Sequence, residues 1–185
     1  ADCYGVYFPA AQKTMGDQEL DPAQDTRLTF VARRLRSEGA ITVPVVLTSD
    51  TKEVFKVSAV EFEDGQESTT FDITFDDAEI GTTYGAQVAI EDPAYAGIYG
   101  EKSTGFTFSV TRVKWNKVTA DGQTMGRWRD DIVSSAYGLP GVYAEYDKVE
   151  FWEREDKPGF YRINNVYSPE FMSLLWPPYT PEEIA

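Results

Sequence analysis

The sequence predicts an all-β chain: an antiparallel β-sandwich followed by a smaller β-rich region. Three observations carry this expectation. Apolar and polar residues alternate with period 2 in run after run of the first 110 residues, the spacing that turns one face of a strand toward a core. Turn residues separate these runs, and no stretch of the same 110 residues carries a 3.6-residue apolar period. Aromatic residues make up 14% of the chain, with 11 Phe, 11 Tyr and 4 Trp, and such side chains favour pleated, half-buried surfaces.

Residues 4–8 (Tyr-Gly-Val-Tyr-Phe) read as a short strand stopped by Pro9, and the polar residues 10–26 as a loop. Residues 27–34 place Leu28, Phe30 and Ala32 on one face of a strand. After the turn Ser37-Glu38-Gly39, residues 41–47 form a β-branched strand in which Pro44 marks an edge or a bulge. Residues 59–75 read as a hairpin: Val60 and Phe62 alternate with acids, Asp64-Gly65 turns the chain, and Phe71, Ile73 and Phe75 resume the alternation. Residues 84–90 and 106–110 give two further strands.

The polar stretch 116–126 then predicts a linker. The resulting organisation is a sandwich domain at 1–112, a linker at 113–126, and a small aromatic-rich β region at 127–185. That region holds strands at 148–154 and 160–166 around the turn Asp156-Lys157-Pro158-Gly159, one helical turn at 168–175, and an extended end, Trp176-Pro-Pro-Tyr-Thr-Pro. A lone hairpin is marginal in water, so this region either packs on the first domain or begins a longer one.

The chain has 185 residues, a net charge of −14 and a pI near 4.4. Nucleic acid is a poor partner for such a surface, since phosphate binding needs clustered cations. The charge is uneven: residues 1–110 hold 8 basic and 19 acidic side chains, residues 111–185 hold 9 and 12. Arg33-Arg34-Leu35-Arg36 is the one basic cluster and predicts internal ion pairing. No apolar run reaches the roughly 20 residues of a membrane-spanning helix. Histidine is absent, which removes Ser-His and Cys-His nucleophile pairs and His-ligated zinc. Cys3 is the single cysteine, so no internal disulfide forms.

Residues 28–110 resemble the Calx-β repeat, an Ig-like sandwich. The likeness rests on the opening strands Thr29–Arg33 and Ile41–Val45, on Val60-Glu61-Phe62-Glu63-Asp64-Gly65-Gln66-Glu67, and on Phe71-Asp72-Ile73-Thr74-Phe75-Asp76-Asp77. The whole chain also resembles a group of Bacteroidetes surface lipoproteins, through Tyr7-Phe8-Pro9, Trp115, Gly126, Asp130-Asp131 and Pro158-Gly159-Phe160-Tyr161-Arg162. That resemblance implies export, to the cell surface or the periplasm, with anchoring on a lipidated cysteine upstream of Ala1. It implies no established activity.

Three sites are candidates. Asp76, Asp77 and Glu79 match the acidic pair that the Calx-β family uses toward Ca²⁺, an ion that takes six to eight hard oxygens; the same residues fit a solvated acidic turn, and no other cofactor is indicated. Trp128, Trp152, Tyr161 and Trp176 are candidates for stacking on sugar rings, with Asn164 and Asn165 close in sequence; they equally fit the core of a small domain. Glu150, Glu153 and Glu155 could supply a glycosidase carboxylate pair, or be an acidic strand face. The expected function is a non-catalytic cell-surface or secreted binding, adhesion or scaffold protein, with a glycan or another surface protein as partner. A carbohydrate-binding accessory protein of a glycan-utilisation system is the alternative, and a carboxylate-dependent glycoside hydrolase the remote one.

Overall fold

The computed structural model describes residues 4–48, 50, 52–96, 103–124, 126–138, 149–176 and 179–184. The Cys3 thiol lies outside them. The chain divides into two compact units, Ala1–Val113 and Lys114–Ala185.

The first unit is an all-β sandwich. Its strands are β1 (Asp17–Leu20), β2 (Arg27–Arg33), β3 (Ile41–Val43), β4 (Val46–Thr48), β5 (Lys56–Val57), β6 (Val60–Phe62), β7 (Ser68–Thr74), β8 (Thr83–Ala89) and β9 (Gly105–Arg112). One sheet runs β2-β7-β5, the other β1-β9-β8-β4, and β3 pairs with β6 in a small third sheet. Alternation is cleanest in β8, where Tyr84, Ala86 and Val88 are buried and the residues between them exposed. Rings from the two larger sheets meet in the core: Phe30 of β2 lies 4.9 Å from Phe106 and 5.3 Å from Phe108 of β9.

Several expectations are corrected here. Residues 59–75 do not form a hairpin. The Asp64-Gly65 turn is real, with Gly65 in the left-handed region at φ 79°, where a side chain would be strained. The strands it joins part company: β6 pairs with β3, while β7 pairs with β2 and β5. Residues 41–47 are likewise two strands in two sheets, because Pro44, with no N–H to donate, breaks the ladder and β4 continues against β8. Residues 10–26 are not a simple loop. They hold a 3₁₀ helix, Ala10–Thr14, and β1, which pairs in parallel with β9 through Asp17↔Ser109 to Leu20↔Arg112. The β1 polar side chains join this ladder, as Asp17 accepts from the hydroxyls of Ser109 and Thr111, each at 2.9 Å.

The N-terminal segment closes the open edge of β2. Tyr7 exchanges two backbone hydrogen bonds with Arg33, at 2.8 and 2.9 Å. The buried Gln12 carboxamide does the same for Val31, donating to its carbonyl at 3.1 Å and accepting from its N–H at 2.8 Å. An unpaired strand edge is a template for aggregation, and here two side-by-side devices cover it. Arg34 follows directly and is buried rather than ion-paired: its hydrogen bonds go to four backbone carbonyls. Of the same basic cluster, Arg36 forms an exposed pair with Glu38 at 3.7 Å.

The second unit contains β10 (Trp115–Lys117), β11 (Thr119–Ala120), β12 (Gln123–Thr124), α1 (Asp131–Ala136), β13 (Glu150–Arg154), β14 (Tyr161–Asn164), α2 (Pro169–Leu175) and α3 (Pro181–Ile184). Residues 113–126, expected as a linker, thus include a strand of its main sheet, β10-β13-β14, and the ribbon β11-β12. Among the described residues, three short helices accompany the strands. Asp130 caps α1 by accepting from the Val133 N–H at 2.9 Å, and Ser168 caps α2 with Pro169 in the first turn, both favourable starts. Phe171 and Leu175 of α2 bury against Val149, with Phe151 and Trp128 packed around them.

Of the described glycines in this unit, Gly126 has the tightest surroundings. A Cβ built there would fall 2.3 Å from the Phe151 ring and 2.9 Å from the Val149 carbonyl oxygen. The ring can swing aside but the paired backbone cannot. Gly126→Ala is therefore expected to lower stability by about 1–3 kcal/mol. All four tryptophans lie in the second unit, so denaturant unfolding followed by tryptophan emission measures this directly. An unchanged midpoint would show that the contact is slack.

Candidate functional site

The register of the three-stranded sheet sorts its side chains onto two faces. Trp115 pairs with Arg154 and Lys117 with Trp152 across β10 and β13; Glu150 pairs with Asn164 and Trp152 with Arg162 across β13 and β14. Directly paired residues share a face and alternate residues along a strand return to it. Trp115, Lys117, Glu150, Trp152, Arg154, Arg162 and Asn164 therefore lie on one face. Phe151, Glu153, Tyr161 and Ile163 lie on the other, and there Phe151 joins the small core with α2.

The first face is a mesh of rings and charges. At its middle, the half-exposed Trp152 donates its indole N–H to Glu150 at 3.0 Å, and Lys117 bonds the other oxygen of Glu150 at 2.6 Å. The Lys117 ammonium also lies 6.0 Å from the Trp152 ring centre. These contacts fix the indole plane and hold the Glu150 carboxyl below its ordinary value, first through Lys117 and then through Trp152. Toward the β13–β14 turn, Arg162 reaches diagonally across β13 and its guanidinium lies over Trp115, 4.4 Å from the ring centre. Trp115 in turn meets Phe160 at 6.1 Å. Arg154 and Lys157 lie over Phe160 at 5.7 and 4.9 Å, and Arg154 also grips Asp156 through two bonds, at 2.7 and 3.1 Å.

The four aromatic residues singled out in the sequence are not brought together. Trp152 belongs to this mesh. Tyr161 lies on the opposite face, where its hydroxyl bonds Glu153, which raises the phenol's affinity for its proton. Trp128 packs edge-on against Tyr167 beside the small core, and its buried indole N–H has no hydrogen-bond partner. Trp176 sits at the end of α2 with its ring perpendicular to Tyr137, 5.6 Å away. Trp115 and Arg162 were missed as site residues. The signal lay in pairing: strands β10 and β14 carry them, and only the register shows that both flank Trp152.

Among the described residues no three Asp, Glu, Cys or His side chains converge as metal ligands. Asp76, at one end of the first unit, accepts from the Thr26 hydroxyl and lines a shallow hollow of about 300 Å³ with Asp25, Arg27 and Thr74; Asp77 and Glu79 are exposed on the turn after it. Glu150 and Glu153 of β13, and Glu155 just beyond it, are also dispersed. Glu150 faces away from Glu153, and Glu155 is held below its ordinary value by Asn116 and Lys114. A general acid needs the opposite shift, so Glu150 and Glu155 are poised to accept hydrogen bonds rather than to give up a proton.

No protein-family model and no curated protein sequence matches the chain. Among solved structures, it is similar to a two-domain protein of unknown function from Bacteroides fragilis (TM-score 0.44, 11% identity, covering 69% of this chain and 52% of that one). It is also similar to a Bacteroides ovatus protein assigned provisionally to carbohydrate binding (TM-score 0.40, 9% identity, covering 86% and 59%). The chain spans little more than half the length of either. Likenesses this distant determine neither fold nor function, and the fold rests on the strand pairing itself.

Proposed function

We propose that this chain is a non-catalytic binding module of an exported protein, and that its ligand is a saccharide seated on the Trp152 face. One observation carries the reading: a half-exposed indole locked in plane by Glu150, with Lys117, Asn164 and Arg162 around it on the same face. A sugar ring offers an apolar C–H face to an aromatic plane and a rim of hydroxyls to neighbouring donors and acceptors. The ionised Glu150 accepts from such hydroxyls, while Lys117, Arg162 and the Asn164 amide donate to them. A ring already held in place costs less to order on binding. Export follows from the sequence resemblance and is part of the same proposal.

The test is affinity electrophoresis of the purified chain against a panel of soluble polysaccharides, followed by calorimetry on those that retard it. Trp152→Ala, on protein with an unchanged circular dichroism spectrum, is expected to weaken binding at least about tenfold, or roughly 1.4 kcal/mol. Retention of full affinity in this variant, or no retardation of the parent by any saccharide, overturns the reading.

A further inference from the structure

We infer that the first unit is a force-bearing spacer, in which the parallel pair β1–β9 resists a pull between the N-terminal side of the chain and the second unit. The role rests on the binding reading above, since a ligand held by the second unit pulls on whatever precedes it; the clamp itself needs no ligand. β1 and β9 pair through Asp17↔Ser109 to Leu20↔Arg112. The chain enters this pair at Asp17 and leaves it toward the second unit at Val113. Val113 stands four residues along β9 from the partner of Asp17, about 13 Å along the strands against about 5 Å between them. A pull on these two points therefore runs mainly along the strands. Their mutual bonds are loaded together instead of one after another.

The junction is more than a bare ladder. The Val113 N–H donates to the Leu20 carbonyl at 2.8 Å. The Asp17 carboxylate accepts from the Ser109 and Thr111 hydroxyls, each at 2.9 Å. At the other end, the Arg112 guanidinium donates to the carbonyl of Pro22, just past β1, at 3.0 Å and to that of Ala78 at 2.9 Å. β1 itself buries little apolar surface, so this polar fastening serves the join between the first and last strands of the unit rather than its core. β9 is held to β8 over a longer register, Thr83↔Thr111 to Ala89↔Gly105, so β1 is the strand that yields. Upstream of β1, the buried Val6 and Phe8 donate their backbone N–H groups to the Tyr95 and Ser103 carbonyls, both at 2.7 Å. A pull from the N-terminal side meets these bonds first.

The test is constant-force spectroscopy of the whole chain in a Cys3→Ser background, with one handle at its C-terminal end and the other on a single introduced cysteine. Gly16→Cys, where a Cβ meets nothing within 4 Å, loads β1 from its far end, in shear. Ala23→Cys, at an exposed position just past β1, puts both pulls at the same end of the pair and peels it bond by bond. Rupture of the first unit is recognised by its added length, about 30 nm at roughly 3.4 Å per residue. Forced rupture reads an unfolding rate, and at equal force the lifetime is expected to be at least about tenfold longer with the Gly16 handle than with the Ala23 handle. Asp17→Ala should shorten the lifetime several-fold with the Gly16 handle and much less with the Ala23 handle, a selectivity that a general loss of stability would not produce. Equal lifetimes in the two geometries, or a Gly16-handle lifetime unmoved by Asp17→Ala, overturns the clamp. No saccharide enters this experiment, so its failure leaves the binding reading standing, and failure of the saccharide titrations leaves the measured clamp in place.

Discussion

Replacing Arg34 by methionine is expected to lower the stability of the first unit by about 3–5 kcal/mol, far beyond what a surface arginine is worth. The side chain is 3% exposed. Its Nε donates to the Gln66 carbonyl at 2.6 Å, Nη1 to Gly39 at 2.8 Å, and Nη2 to Ser37 and Glu63 at 2.7 and 2.6 Å. The guanidinium also lies over the buried Phe62 ring at 5.1 Å. One cation thereby ties the turn at 37–39 to the turn at 63–66. The Gly65 N–H to the Ser37 carbonyl and the Gly39 N–H to Asp64, both at 2.7 Å, complete the join. Methionine fills much of the volume but strands four carbonyls that bond a charged donor, and each such bond is worth about 1.5–3 kcal/mol before loop relaxation recovers part of it. Lysine keeps the charge yet lacks the planar fork, so Arg34→Lys should recover less than half of the loss. Urea unfolding followed by far-ultraviolet circular dichroism reads both variants. A change within about 0.5 kcal/mol for the methionine variant would mean that the join does not depend on this side chain.

The second large effect is expected at Phe30. Its ring is 2% exposed and touches Phe71 at 5.8 Å within its own sheet and Phe106 and Phe108 of the facing sheet at 4.9 and 5.3 Å. Phe8 joins the group through Phe71 and Phe106. Phe30→Ala removes the ring that both sheets share, and rings held on several sides by paired strands collapse poorly into the void. A loss of about 3–5 kcal/mol is expected. The neighbouring Val31, half-buried on the outer face of β2, supplies the control: Val31→Ala should cost clearly less. Equal losses at the two positions would contradict the assignment of the inner face.

Which faces are buried was legible in the sequence; which strands are partners was not. Alternation at Val60, Phe62, Phe71 and Ile73 correctly marked four inward positions. It is silent on pairing, and so the Asp64-Gly65 turn was read as joining partners when it joins two sheets. Strand β1 was invisible because Asp17-Gln18-Glu19-Leu20 contributes hydrogen bonds and polar contacts to an edge and little apolar burial. Helix α1 depends on the Asp130 cap over six residues, too short for a helical period to show. The candidate site follows the same rule. The aromatic content of the second unit drew attention to Trp152, but a face is made by register across strands. Trp115, placed in a linker by its polar neighbours, and Arg162, one residue past Tyr161, joined the site only once β10, β13 and β14 were aligned.

The proposed saccharide site on the Trp152 face can be read at single-residue resolution. The four tryptophans give four indole N–H resonances in a ¹⁵N-correlated proton spectrum, each assignable by replacing one tryptophan with phenylalanine. Titration with a bound saccharide should shift the Trp152 resonance most and that of Trp115 next, while the Trp128 signal, in the small core, stays in place. Shifts confined to Trp128 or Trp176, with Trp152 unmoved at saturation, would put the ligand elsewhere and rule out the Trp152 face.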